Sequence, residues 1–362
     1  MARYCSVVLS DYNQTPFFSM KFKPKKFKQM LCAATMATGL WLGVVMPSAW
    51  AEETDYQLGR GYRVNDALTV GGYFSAEYEK AENEEKLVVD DLAILVYGHI
   101  SSFSYLLELE SVNFYVSDLE ADSEEWNAAP AIERAYLDYN ASDKFSIRFG
   151  KQITPIGYWN LQPINVLRDT TSNPSLTRRM FPKFLTGVDL HGYAPFGDDV
   201  TYHVYFQVTE DLDDEYINIP IDQHFGSSLE KRFASGWSVG GSVGGFEETT
   251  DISTQYAQLN AKRDFGKLRI QAEAIYASHD VTAKSKDNSA AAYLQSEYHF
   301  NPKHTIVSRV EYFRDQRTNE RDVVGILGYS YRPQFPVSLK AEYQWHSDSA
   351  DDQFVASFSV LF

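Results

Sequence analysis

The sequence predicts an all-β fold, a transmembrane antiparallel β-barrel of about sixteen strands with one long connection folded inward as a constriction loop. Three observations predict it. Segments of about ten residues alternate apolar and polar side chains, the period of a strand with two unlike faces. The connections between these segments are short and long in turn. After residue 51 no run approaches eighteen uninterrupted apolar residues, so no membrane-crossing helix is expected.

The first 51 residues differ in kind and are set aside as a signal peptide. Met20 opens a basic run of Lys21, Lys23, Lys25, Lys26 and Lys28, and an uncharged stretch from Met30 to Met46 follows. Ala49 and Ala51 are the small residues a signal peptidase reads, which puts cleavage before Glu52. Residues 1–19 lack signal character and are taken as an upstream extension, with Met20 as the start. Both cysteines, Cys5 and Cys32, fall in this leader, so disulfides play no part in the mature chain. Residues 52–67 are expected as a short periplasmic segment and residues 68–362 as the barrel.

Setting aside the leader's six basic residues and one acid from totals of 33 and 49 leaves a net charge of −21 on residues 52–362. A charge of that sign disfavours nucleic acid as a partner.

The alternation is clearest at the C-terminal end. Phe354, Ala356, Phe358, Val360 and Phe362 share one face, opposite Val355, Ser357, Ser359 and Leu361. Val337, Leu339, Ala341, Tyr343 and Trp345 stand against Ser338, Lys340, Glu342 and Gln344. The same pattern runs through 200–208 and 268–276.

Strands are expected near 68–78, 90–100, 102–113, 132–139, 145–152, 184–194, 200–208, 227–234, 236–245, 253–262, 266–278, 290–300, 304–314, 323–332, 337–345 and 354–362. Turn residues such as Asn140–Lys144 and Pro333–Pro336 close the short connections. The longer ones are 79–89, 114–131, 153–183, 209–226, 246–252, 279–289, 315–322 and 346–353. Short turns on one rim and long loops on the other suit a barrel whose two ends face periplasm and exterior. The physical cause is hydrogen bonding: an open sheet edge in hydrocarbon leaves unpaired backbone groups at several kcal/mol each, so the sheet closes. Closure turns the apolar face to lipid and the polar face inward, which accounts for a mean hydropathy of −0.35 in a membrane protein. Tyr78, Tyr139, Tyr298, Tyr312, Tyr331 and Trp345 fall at strand ends, where interfacial girdles form.

The terminal strand, with Phe354, Phe358 and Phe362 on its apolar face, resembles the insertion signal of outer-membrane barrel proteins. That resemblance implies the barrel assembly machinery, outer-membrane lipid and lipopolysaccharide as partners, in the outer membrane of a Gram-negative bacterium. The strand Arg134-Ala-Tyr-Leu-Asp-Tyr139, a tight turn, and a strand running into Gly150-Lys151 and on to Pro155 and Gly157 resemble the phosphate-selective porin O and P family over about 30 residues. The family implies a sixteen-stranded homotrimer that passes small hydrophilic solutes, anions such as phosphate among them, through a basic constriction. In such porins the third long loop folds into the lumen, and here that loop is 153–183.

This connection reverses the sign of the chain, with Arg168, Arg178, Arg179 and Lys183 against the single acid Asp169. These residues, with Arg134 and Arg148 on the preceding strands, are the expected solute-selecting group. Elsewhere the inward positions mix Arg232, Lys262, Arg269, Arg309 and Lys340 with Glu77, Glu108, Glu110, Asp138, Asp189, Glu273, Glu297, Glu311 and Glu342. That mixture points to a general pore of mixed selectivity. The acidic runs at Glu79–Glu85, Asp118–Glu125 and Glu210–Glu215 are expected in solvated loops.

No catalytic residue, cofactor or metal ligand is expected. Asp189 with His191, and Glu297 with His299, share inward faces, as i, i+2 pairs on any strand do. No EF-hand, phosphate-binding glycine loop, H-E-x-x-H or G-x-S-x-G spacing occurs. The competing class is an outer-membrane barrel that serves as an enzyme, adhesin or receptor through its acidic loops.

Overall fold

The computed structural model describes residues 55–195, 197, 199–212, 218–282 and 285–362. The expected leader and its expected cleavage residues Ala49 and Ala51 lie outside the described residues. The strands are β1 (Tyr56–Gln57), β2 (Gly61–Asn65), β3 (Leu68–Ala81), β4 (Glu84–Ile100), β5 (Phe103–Asp118), β6 (Ser123–Trp126), β7 (Ala131–Ser142), β8 (Phe145–Ile153), β9 (Phe184–Tyr193) and β10 (Val200–Gln207). They continue as β11 (Ile221–Arg232), β12 (Trp237–Glu248), β13 (Ser253–Phe265), β14 (Leu268–Thr282), β15 (Ser285–Asn301), β16 (His304–Asp315), β17 (Glu320–Gln334), β18 (Val337–Trp345) and β19 (Gln353–Leu361). One short helix, α1 (Ser175–Arg179), interrupts the all-β pattern.

Sixteen of these, β3 to β5 and β7 to β19, form a closed antiparallel barrel. Closure is made by β19 on β3, from Phe354 opposite Lys80 to Leu361 opposite Tyr73. Phe362 completes the seam by exchanging two 2.8 Å backbone hydrogen bonds with Gly72. Every expected strand is present. β1 and β2 pair with each other and β2 continues onto β3, while β6 folds back on β5.

Several strands run further toward the long-loop end than the apolar alternation extends. β3 and β4 stay paired out to Ala81 opposite Glu84, and β14 and β15 out to Thr282 opposite Ser285. Much of the expected long connections 79–89 and 279–289 is therefore strand, which carries the sheet past its apolar zone. Glu79 pairs there with Lys86, Lys80 with Glu85 and Ala81 with Glu84, so Glu79, Glu84 and Glu85 belong to strands.

The two faces differ as the alternation requires. Leu259 is 71% exposed, Phe225 61% and Val310 59%, all on the outside. Each would gain about 1.5–3 kcal/mol on leaving water, so a continuous outer surface of such residues fits acyl chains. Inside, Glu77, Glu108, Glu110, Asp138, Asp189, Glu273, Glu297, Glu311 and Glu342 are all buried, as are Arg309 and Lys340.

The lumen is filled unevenly. Ile156, Leu176, Met180 and Phe181 of the long loop pack with Tyr256 and Phe313 of the wall in one apolar cluster. Gly226 and Gly244 make room beside it, because a Cβ at either would come within 2.4 Å of the Tyr205 or Tyr256 hydroxyl. Those two hydroxyls lie 2.7 Å apart, and the Tyr256 oxygen is 2.8 Å from His224 Nε2.

Candidate solute constriction

The chain between β8 and β9 enters the lumen and is tied to the wall by charged side chains. Gly157 makes the first bend at φ +68°, where a Cβ would overlap the Glu273 carboxylate of β14. The bend lets the Tyr158 and Trp159 N–H groups donate to Glu273 Oε1 at 3.0 and 2.9 Å. The terminal glycine of the sequence motif is thus where the loop turns inward.

Farther along, Thr171 and Ser172 N–H donate to the two oxygens of Glu342 on β18, both at 3.0 Å. Ser175 N–H, at the start of α1, donates to Glu311 of β16 at 2.9 Å, a favourable place for a carboxylate. Arg309 donates to Thr170 Oγ1 at 2.8 Å and Ser172 Oγ at 2.7 Å. Arg332 holds Asp169 at 3.1 Å and the Arg168 carbonyl at 2.6 Å. Lys340 donates to the Asn165 carbonyl at 2.7 Å. These wall charges face inward as the alternation demands, and each is bonded to the loop.

Beside the loop remains a cavity of about 420 Å³. Its charged lining is Arg168, Arg178 and Lys183 from the loop, facing Glu77 and Glu79 of β3 and Asp90 of β4. Arg168 is buried, hydrogen-bonded to Asn173 and 5.9 Å from the Trp159 ring. Lys183 approaches Glu133 at 3.6 Å, and Glu77 accepts from Asn165 at 2.7 Å. Arg178, Glu79 and Asp90 make no ion pair among the described residues.

The other expected residues stand elsewhere. Arg179 extends to Glu320, 2.8 Å away, and over the Phe313 ring. Asp169 is held by Arg332. Arg134 is paired with Glu108, and Arg148 with Asp138 at 2.7 Å, both on the wall. Phe354 and Phe358 are exposed on the outer face.

Glu79 and Asp90 were not among the expected lining residues. The β3–β4 ladder slips between Phe74 and Glu77, and the β4–β5 ladder between Val89 and Asp91. An extra residue in a strand inverts its alternation. Asp90 thereby lines the cavity while its neighbour Asp91 accepts from the inward Ser75 hydroxyl at 2.7 Å. The adjacent pair Asp90-Asp91 is the one sequence sign of such a bulge.

A closed sixteen-stranded antiparallel barrel with an apolar exterior and a charged cavity beside an inward loop is the architecture of a transmembrane β-barrel. Solved structures agree on the fold. An anion-selective porin from Comamonas acidovorans superimposes with a TM-score of 0.62 at 9% identity, over 82% of this chain and 99% of that one. The trimer form of OmpT, an outer membrane protein of Vibrio cholerae, gives 0.60 at 14% identity, over 82% and 100%. Salmonella typhi OmpF in complex with daunomycin gives 0.60 at 13% identity, over 82% and 97%. No protein-family model matches the chain. A curated relative, an uncharacterized protein of Aquifex aeolicus (strain VF5), is 28% identical over 174 residues, which span 46% of this chain and 38% of that protein.

Proposed function

We propose that the chain is a porin through which small hydrophilic solutes and ions diffuse passively, sorted by size and charge beside the 153–183 loop. The observation that carries this reading is the cavity of about 420 Å³ between three loop bases and three wall acids. Opposed charges in a low-dielectric channel set up a transverse field. Such a field orients dipolar and zwitterionic solutes and gives weak preference between simple anions and cations. Phosphate is one permeant anion among others on this reading, and no catalysis is involved.

We further propose that the porin is a homotrimer in outer-membrane lipid and lipopolysaccharide. The similarity to a structure solved in trimer form supports this. Phe354, Phe358 and Phe362 would be the residues recognised by the barrel assembly machinery, and residues 1–51 a leader removed before insertion.

Reversal-potential measurement in a salt gradient tests the selectivity. A unit charge about 8 Å from a permeating ion, at an effective dielectric constant near 80, is worth about 0.5 kcal/mol, of opposite sign for a cation and an anion. Arg178→Ala is expected to raise the cation-to-anion permeability ratio about five-fold. Arg179→Ala, whose guanidinium is spent on Glu320, is expected to leave it unchanged. Equal shifts from both variants would remove Arg178 from the selecting group.

A further inference from the structure

The short-turn end of the lumen holds a second group of side chains, separate from the constriction. Asp189 and His191 are two residues apart on β9, and both face inward. The β9–β10 register sets His203 directly opposite His191. Asp189 Oδ2 stands 2.8 Å from His203 Nδ1 and 3.4 Å from His191 Nδ1. The two imidazoles are stacked, with centroids 5.4 Å apart and planes at 16°. One ligand atom from each of the three residues lies within 4.8 Å of the other two.

Hydrogen bonding alone leaves this group incomplete. Asp189 is 1% exposed, yet its Oδ1 has no hydrogen-bond partner, and neither has the buried Nδ1 of His191. An unmet carboxylate oxygen in the interior keeps its full desolvation penalty. A buried polar atom left in that state calls for a water or an ion.

The surrounding charge suits a cation. Arg148 of β8 sits opposite Asp189 in register but binds Asp138 of β7 in a two-pronged pair, at 2.9 and 2.7 Å. Two carboxylates, Asp138 and Asp189, thus stand beside one guanidinium.

We propose that Asp189, His191 and His203 bind a divalent transition-metal ion of the zinc, copper or nickel type on the lumen wall. Two imidazoles and a carboxylate form a nitrogen-rich set that favours these ions over magnesium or calcium. Three protein ligands leave further positions to water or to a passing solute. A metal at His203 Nδ1 takes the place of the hydrogen bond to Asp189, with the imidazole N–H then carried on Nε2. The site adds positive charge to the wall at the end of the pore opposite the long loops. Linear spacing gave no hint of it, because Asp189 and His191 are an unremarkable i, i+2 pair until strand pairing brings in His203.

Cobalt(II) is the probe for the test. The folded full-length barrel in detergent is expected to develop saturable visible absorption at one cobalt per chain, bleached by zinc. His203→Gln and His191→Gln are each expected to weaken cobalt binding at least about ten-fold, while His99→Gln, at an exposed position, leaves it unchanged. Heat-modifiable gel mobility identifies the variants that fold. A folded wild-type barrel without a saturable cobalt band overturns the proposal, as does undiminished binding by a folded His203→Gln or His191→Gln. Neither result bears on the pore, which conducts with or without the ion.

Discussion

The wall from β14 to β18 and the wall of β3 and β4 both present buried charges to the same lumen, yet they use them differently. On the first, Glu273, Arg309, Glu311, Arg332, Lys340 and Glu342 each meet a backbone or side-chain partner on the inward loop. On the second, Glu79 and Asp90 face the cavity without an ion pair among the described residues. A charge in a narrow barrel can fix structure or act on what passes, and the loop decides which. Where it touches the wall, charges are consumed as straps. Where it stands off, they line the cavity without an ion pair among the described residues.

The comparison breaks most directly at the straps. Glu273→Ala or Glu342→Ala leaves two loop N–H groups without a carboxylate acceptor. At about 1.5 kcal/mol or more for each charge-assisted bond, either change is expected to cost about 3 kcal/mol. The denaturant midpoint of the detergent-folded barrel reads this cost. Unitary conductance is expected to rise as the loop comes away, and an unchanged conductance would show that the straps do not set the bore.

A smaller effect is expected from Gly157→Ala, which combines a positive φ with overlap on Glu273. A non-glycine residue forced there costs about 1–3 kcal/mol, read from the same midpoint. A neutral result would detach the motif glycine from the bend.

Smaller again is the change on the open wall. Glu79→Gln with Asp90→Asn is expected to lower the cation-to-anion permeability ratio several-fold, opposite in sign to Arg178→Ala, without moving the denaturant midpoint by more than about 1 kcal/mol. A loss of stability as large as that of the straps would erase the distinction between the two walls. The smallest effect belongs to Arg179→Ala, whose half-exposed pair with Glu320 is worth less than about 1 kcal/mol.

Much of the barrel was legible because period two and lipid exposure leave a strong mark. Leu339, Tyr343 and Phe358 announce their face without help from tertiary structure. The inward set was legible for the same reason. What each inward residue does was not, since Glu342 and Glu79 are equally good lumen carboxylates in sequence and differ only in whether the loop reaches them. The bases of the loop were visible as a group, but Arg168, Arg178 and Lys183 part from Arg179 only once α1 is in place. Asp90 was hidden by a bulge that inverts the alternation. His203 was hidden because its relation to Asp189 is one of register and not of spacing.

The central claim is that an aqueous path runs through the barrel beside the inward loop. Single-channel recording of the purified barrel in a planar bilayer tests it most directly. Stable open steps, present without any substrate and scaling with salt concentration, are the predicted result. A correctly folded, membrane-inserted barrel that carries no current above the bare bilayer would contradict it.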